Sequence, residues 1–274
     1  MNIDQAILEL LADPRYSVHL YNTYVGVDLL SCAQRFAASG EFAEVVHQVG
    51  RNAQGTVLDL GAGNGIASYA FAKAGAAHVY ALEPSDSDLV GRGAIAAVTD
   101  GLPVDILNGF GEQIPLADNV VDLVYARQVL HHTADLAQVL RECQRVLEPG
   151  GLFLACREHV VDNETQRQTF LANHPIHQKT GGEDAFALSV YQDAITGAGL
   201  QLRAVWEPWD SVINAFPGVL TQAGLADYPA QLLGRKLGAF GAQLGAWPLV
   251  RWLIWRWLKR PVAGRLYTFL AVKP

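Results

Sequence analysis

The sequence predicts an α/β fold in which helices cover both faces of a parallel sheet. Three observations carry this. Short apolar runs alternate with longer amphipathic segments from residue 57 onward. The first run passes directly into a glycine-rich loop and then into a helical pattern. Hydrophobic residues are 50% of the 274 and charged residues 17%, enough apolar material for a large core. Strands separated by helices of this length form βαβ units, whose crossovers place helices on both faces.

The elements follow in order. VLDL (57–60) is a buried strand, and IASYAFAKAG (66–75) a helix stopped by Gly75. HVYALE (78–83) is the second strand. SDSDLVGRGAIAAV (85–98) reads as a helix with Ser85 as its N-cap. VDILNG (104–109) and VVDLVYA (120–126) are further strands. LAQVLRECQRVL (136–147) is an amphipathic helix that ends before PGG and turns into the strand LFLAC (152–156). EDAFALSVYQDAITGAG (183–199) is a helix, LQLRAVWE (200–207) a strand, and RLYTFLAVK (265–273) the last strand, displaced far from its predecessor. The implied organisation is an N-terminal helical cap over 1–50, a core of 51–210 plus 262–274, and a Trp- and Arg-rich helical insertion over 211–261.

Net charge is −7, which argues against nucleic acid as a partner. The charge is uneven: residues 1–227 hold 27 acidic and 12 basic side chains, whereas the remainder holds eight basic and no acidic ones. Three cysteines (Cys32, Cys143, Cys156) at wide spacing exclude a disulfide scaffold and a CxxC zinc module and suit a reducing cytosol. The start, MNIDQAILELLADPRY, lacks the features of a secretory signal, so a cytoplasmic location is expected.

The sharpest motif is VLDLGAGNG (57–65). Glycines let backbone approach a ligand closely, and the helix start that follows offers unpaired N–H groups. A dinucleotide fingerprint would need a third glycine at position 66, which is Ile66, and no P-loop lysine follows. Glu83 closes the second strand, where a carboxylate can accept from both hydroxyls of a ribose.

With YALEPS (80–85), GFGEQIPLADNVVDLVYARQVLHH (109–132) and LRECQRVLEPGGLFL (140–154), this motif resembles the class I S-adenosylmethionine-dependent methyltransferases. The likeness is to the type 11 branch, similar to the methyltransferases of ubiquinone and menaquinone biosynthesis, and it covers roughly residues 55–160. It implies a Rossmann-like seven-stranded sheet with the last strand antiparallel, and S-adenosylmethionine as cofactor. Carried over, Asp59, Gly61, Ala62 and Gly63 would line the methionine part, and Glu83 would hold the ribose. Pro84 and Ser85 would border the adenine, and Ala126 and Arg127 would lie near the methionine ammonium. The family often has an acid after the glycine of the segment matching GFGEQIP; here Phe110 stands there, followed by Gly111 and Glu112. Either Phe110 packs on the adenine, or Glu112 or backbone carbonyls bond its amino group.

Methyl transfer to a hydroxyl needs an aligned nucleophile, exclusion of water and a general base. His132 or His131, after the fourth strand, with Glu158 after the fifth, is the candidate pair for that base. His159, His174, His177, Glu183 and Tyr191 would surround the acceptor, with Tyr21 from the cluster Tyr16, His19, Tyr21 and Tyr24 covering it. The spacing of HPIHQKTGGED (174–184) is not a zinc signature, so no metal is expected.

The segment WPLVRWLIWRWLKR (247–260) mixes tryptophan with cations. A helical wheel places Val250, Leu253, Ile254, Trp257 and Leu258 on one face and Arg251, Arg256, Lys259 and Arg260 on the other. This suits peripheral contact with the inner face of a membrane, a dimer contact or a lid. The uncharged stretch 237–250 is shorter than the ~20 residues a spanning helix needs. The reading is a methyltransferase acting on a small molecule as a monomer or homodimer, by O-methylation of a hydroxyl-bearing acceptor such as a sugar or lipid-linked saccharide. A quinone C-methyltransferase and an inactive methyltransferase-fold scaffold are the rivals.

Overall fold

The computed structural model describes residues 3–181 and 184–274. Four helices lead the chain: α1 (Ile3–Ala12), α2 (Pro14–Asn22), α3 (Leu29–Ala37) and α4 (Gly40–Val49). Asp13, Asp28 and Ser39 cap the last three, each accepting a hydrogen bond from a backbone N–H two or three residues on. Then follow β1 (Thr56–Leu60), α5 (Ile66–Lys73), β2 (His78–Leu82), α6 (Arg92–Thr99), β3 (Val104–Leu107) and β4 (Val121–Arg127). A 3₁₀ turn at Leu130–His132 leads to α7 (Leu136–Val146), β5 (Leu147–Val160), α8 (Glu164–Asn173), α9 (Pro175–Thr180), α10 (Leu188–Gly197) and β6 (Gln201–Trp206). The chain ends with α11 (Val212–Ala215), α12 (Gln222–Ala226), α13 (Tyr228–Ala246), α14 (Pro248–Leu258) and β7 (Arg265–Val272).

The seven strands form one sheet in the order β3-β2-β1-β4-β5-β7-β6. The pairs among β1 to β5 are parallel, and β7 runs antiparallel between β5 and β6. Strand order reverses between β1 and β4, and the crevice beyond the carboxyl ends of strands at such a point is where open α/β sheets take ligands.

Alternation along β4 assigns its side chains to two cores. Leu123 and Tyr125 join Phe36, Phe42, Val45 and Phe71 of α3, α4 and α5. Val124 and Ala126 join Val139, Leu140 and Cys143 of α7 on the other face. The amphipathic α7 therefore docks through the apolar stripe that the sequence predicts. All three cysteines are buried and unbridged.

Three expectations change. The helix predicted from Ser85 begins only at Arg92, because Ser87 Oγ accepts from the Leu89 and Val90 N–H groups and Gly91 is extended. The helix predicted from Glu183 begins at Leu188: Phe186 instead pairs with Val160 in a parallel bridge. The wheel of residues 247–260 is rotated. Trp255 and Leu258 turn inward onto Trp209, against the cluster of Ala215, Val219, Leu225 and Tyr228, while Leu253 and Trp257 stay exposed. The cause lies in α13, which kinks at Gly238 and folds back on itself. A side chain at Gly245 would lie 2.6 Å from Pro229 O, so the two halves touch backbone to backbone.

Candidate active site

β1 delivers Asp59 and then the hairpin Gly61–Gly65 into the crevice. Gly61 has φ +63, and a methyl group there would meet Val129 at 2.8 Å, so glycine is required at this turn. Gly63 has φ +55, yet a methyl group there would meet nothing nearer than Gly61 O at 3.9 Å. The space beside Gly63 is therefore open to a ligand. The hairpin is anchored from three sides: Ala62 N–H donates to Leu82 O, Gly63 N–H to Glu83 Oε2 at 2.9 Å, and Asn64 Nδ2 to Tyr24 O at 2.8 Å.

Glu83 lies at the end of β2, and its other oxygen accepts from Ser85 N–H at 2.9 Å. Burial raises its pKa, opposed by these two N–H groups and by Arg92. Each carboxylate oxygen keeps a further lone pair, so both can accept from a vicinal diol while remaining fixed. Asp59 is buried and accepts from Ser68 Oγ at 2.6 Å. Burial pushes its pKa up to about 7, the Glu83 charge adding to this against the Ser68 bonds.

Two cavities meet here. One, of about 1100 Å³, is lined by Glu83, Pro84, Phe110, Gly111 and Glu112 among others. The second, of about 210 Å³, is lined among others by the apolar Leu10, Leu20, Val25, Ile66 and Val90, by Asp59, Ala62 and Tyr16, and by five histidines: His19, His131, His132, His159 and His174. Gly61, Gly63, Arg127, Gln128 and His132 line both. S-adenosylmethionine fits this pair by chemistry: a fixed carboxylate for a ribose, an open face on the glycine hairpin and a carboxylate, Asp59, suited to a cationic end.

The histidines differ sharply in environment. His131 is buried, with Nδ1 2.7 Å from Glu158 Oε2. Glu158 also accepts from the N–H groups of Val129, Leu130 and His131 at 3.0, 3.2 and 3.3 Å. Burial alone would raise the Glu158 pKa; His131 and these hydrogen bonds outweigh it and bring it below the usual carboxylate value. His159 donates through Nδ1 to Gly264 O at 2.8 Å. Burial, with the charge of His131, pulls its pKa down to about 3, so its imidazole is neutral and Nε2 is the accepting nitrogen. The His131 and His159 ring centroids lie 4.9 Å apart, and His132 sits beside His131 at 4.2 Å.

The other predicted positions lie as follows. Of the two histidines expected as partner for Glu158, His131 makes the contact, through Nδ1. Ala126 is buried in the α7-side core and lines neither cavity. Arg127 borders both cavities, but Glu41 occupies its guanidinium through contacts of 2.7 and 3.3 Å. Glu112 accepts from the Ala134 and Asp135 N–H groups and so braces a turn. Phe110 is 67% exposed at the cleft. Ser85 holds Glu83. Tyr21 is exposed and stacks on Arg35 at 3.8 Å. Tyr191 is a core residue whose hydroxyl donates to His159 O at 3.0 Å. Neither Tyr21, Tyr191 nor His177 lines the cavities described. Glu183 lies outside the described residues. Among the described residues, no group of three His, Cys, Asp or Glu is arranged to hold a metal ion.

Sequence reasoning missed Glu41, Gln128 and Arg157. Glu41 is fully buried between Arg127 and Arg157, whose Nε is 3.9 Å away. Arg157 also donates to Ile213 O and Phe216 O. Gln128 and Arg157, with Tyr24, hold positive φ, a conformation that non-glycine residues rarely adopt and that clusters at functional sites.

The comparisons agree with this architecture. Residues 58–155 match the family model of a methyltransferase domain. A ubiquinone biosynthesis O-methyltransferase of Methylobacterium sp. (strain 4-46) is 36% identical over 118 residues, 43% of this chain and 45% of that protein. A dimethylglycine N-methyltransferase of Parasynechococcus marenigrum (strain WH8102) is 38% identical over 104 residues, 36% of each. The aligned region thus spans less than half of these curated relatives. The crystal structure of an S-adenosylmethionine-dependent methyltransferase from Mesorhizobium loti superposes with a TM-score of 0.60 at 17% identity, covering 87% of this chain and all of that one. With the strand order, the antiparallel β7 and the glycine hairpin already described, residues 58–155 form a class I S-adenosylmethionine-dependent methyltransferase domain of the type 11 branch.

Proposed function

We propose that this protein is a methyltransferase that uses S-adenosylmethionine to methylate a hydroxyl of a small, polar acceptor of saccharide type. One observation carries the reading: the Glu83 cleft and the histidine cavity adjoin, sharing Gly61, Gly63, Arg127, Gln128 and His132. Glu83 would hold the ribose, Asp59 and the glycine hairpin the amino-acid end, and Pro84 and Phe110 the adenine border. The cofactor, when bound, supplies an electrophilic methyl group on a sulfonium. The chain supplies alignment and proton handling.

His131 is the candidate base. Glu158 fixes its Nδ1–H, so Nε2 is the nitrogen that can take the acceptor's proton, and the ionised carboxylate favours the imidazolium that results. Glu158 is a positioning residue. His132, at the junction, and the neutral His159 offer hydrogen bonds that orient a hydroxyl-bearing acceptor. The relatives named above act on oxygen in one case and nitrogen in the other, so the acceptor atom rests on this histidine lining.

The test is titration calorimetry with S-adenosylmethionine, then mass-spectrometric assay of methyl transfer to a panel of polyols, saccharides, phenols and amines. Glu83→Ala should weaken cofactor binding by about 10–100-fold, while His131→Ala should keep that affinity and lose about 10²–10⁴ in kcat. Transfer to nitrogen or carbon only, or full turnover by His131→Ala, would overturn the hydroxyl reading.

A further inference from the structure

We propose that α14 and the second half of α13 form a docking face for an anionic lipid bilayer surface. The face is apolar and open. Along this segment Phe240, Trp247, Leu249, Trp252, Leu253 and Trp257 are each exposed. The helix is nevertheless anchored, because Trp255 and Leu258 on its inner side pack against Trp209, and Trp209 Nε1 donates to Leu258 O at 3.1 Å. The outward tryptophans are thus presented by a fixed element and are not left over from poor packing.

Cations are set among these rings. The guanidinium of Arg256 lies 5.5 Å from the Trp252 ring centroid, and that of Arg260 4.8 Å from Trp257. Residues 228–274 contain eight basic and no acidic side chains. Arg235, Lys236, Arg251, Arg256 and Arg260 make no ion pair among the described residues, whereas Lys259 is held by Asp210. Such a surface complements phosphate headgroups above an acyl boundary: indole rings enter the interface while paired guanidiniums stay at headgroup level. A second copy of this chain is a poor occupant, since a twofold contact would set these cations against themselves. Insertion across the bilayer is excluded for the described helices, none of which is long and apolar enough.

The test is flotation of the full chain with vesicles of phosphatidylcholine alone and of phosphatidylcholine mixed with phosphatidylglycerol. The protein should float with the mixed vesicles, stay behind with the neutral ones and be released by high salt. Arg251→Glu with Arg256→Glu should lower the partition coefficient by at least about tenfold. Trp252→Phe with Trp257→Phe should reduce quenching of tryptophan fluorescence by brominated lipid. Both variants alter exposed side chains, so unchanged melting curves separate loss of docking from loss of fold. Absence of flotation with mixed vesicles, or flotation that both variants leave unchanged, would overturn the proposal. So would a concentration-dependent dimer that Trp252→Ala with Trp257→Ala dissolves while vesicles capture nothing.

Discussion

Glu158 grips His131 through a 2.7 Å hydrogen bond to Nδ1, and the same fully buried carboxylate accepts the backbone N–H groups of residues 129 to 131. Ring and backbone of the turn after β4 are therefore set by one side chain from β5. Removing it takes the acceptor from three backbone N–H donors and from His131 Nδ1 at a buried site. Glu158→Ala is expected to lower unfolding free energy by about 3 kcal/mol or more. Glu158→Gln should fold better and still impair turnover, because a neutral amide cannot balance an imidazolium. Denaturant titration and kcat measured on both variants distinguish the two effects.

Glu41 is the only carboxylate within ion-pair distance of two buried arginines, Arg127 and Arg157, among the described residues. Glu41→Gln would leave both cations uncompensated. A loss of about 3–5 kcal/mol is expected in urea unfolding. A change below about 1 kcal/mol would mean that solvent reaches the pair.

The hairpin glycines should separate folding from binding. Gly61→Ala drives a methyl group into Val129 at a positive φ and should lower the melting temperature. Gly63→Ala meets only space, so its methyl group fills the cleft. It should weaken cofactor binding more than Gly61→Ala does for the same loss of stability, a comparison that calorimetry and thermal melts make directly.

Acid should act through His159. Its folded pKa of about 3 lies below the ordinary 6.5, so the unfolded chain binds the proton more readily. The neutral-imidazole contribution is present in full above pH 6.5 and is lost as pH falls toward 3, at about 1.4 kcal/mol per pH unit. His159→Asn keeps a donor for Gly264 O and removes the titration. The difference in stability between wild type and variant should therefore shrink or reverse from pH 7 to pH 4; a constant difference would refute the assignment.

Much of this architecture is legible in the sequence, and the reasons are local. The apolar runs at 57–60, 78–82 and 120–126 are short, rich in Val and Leu and bounded by turn residues, which reads as strands, and GAGNG reads as a tight loop. They put Glu83 at the end of the second strand; the pairing of β1 with β2 in the structure then brings it beside the hairpin, where Gly63 N–H meets it. What escapes is whatever depends on distant chain. The Glu41 bond to Arg127 joins residues 86 positions apart, and nothing in the sequence of α4 marks Glu41 as more than a solvated acid. His131 and His132 are neighbours on a 3₁₀ turn, so one side chain's direction cannot be deduced without the other's surroundings. Tyr191 has the residue type of a binding group, yet its hydroxyl is consumed by His159 O. The orientation of α14 is decided by the fold-back of α13 at Gly238, far outside any wheel drawn on 247–260.

The position of β7 has a last consequence. β6 and β7 are adjacent antiparallel strands, Trp206 opposite Thr268, so everything between them departs from and returns to a single border of the sheet. Topologically the helices α12 to α14 are an oversized hairpin loop. Doubling the length of such a loop changes its closure entropy by only about 0.6 kcal/mol. That border is a natural graft point: the segment between α11 and Gly264 can be trimmed, lengthened or exchanged for another module while strand register stays as it is, and because β6 runs parallel to β1 a module grafted there emerges on the same carboxyl edge as the crevice.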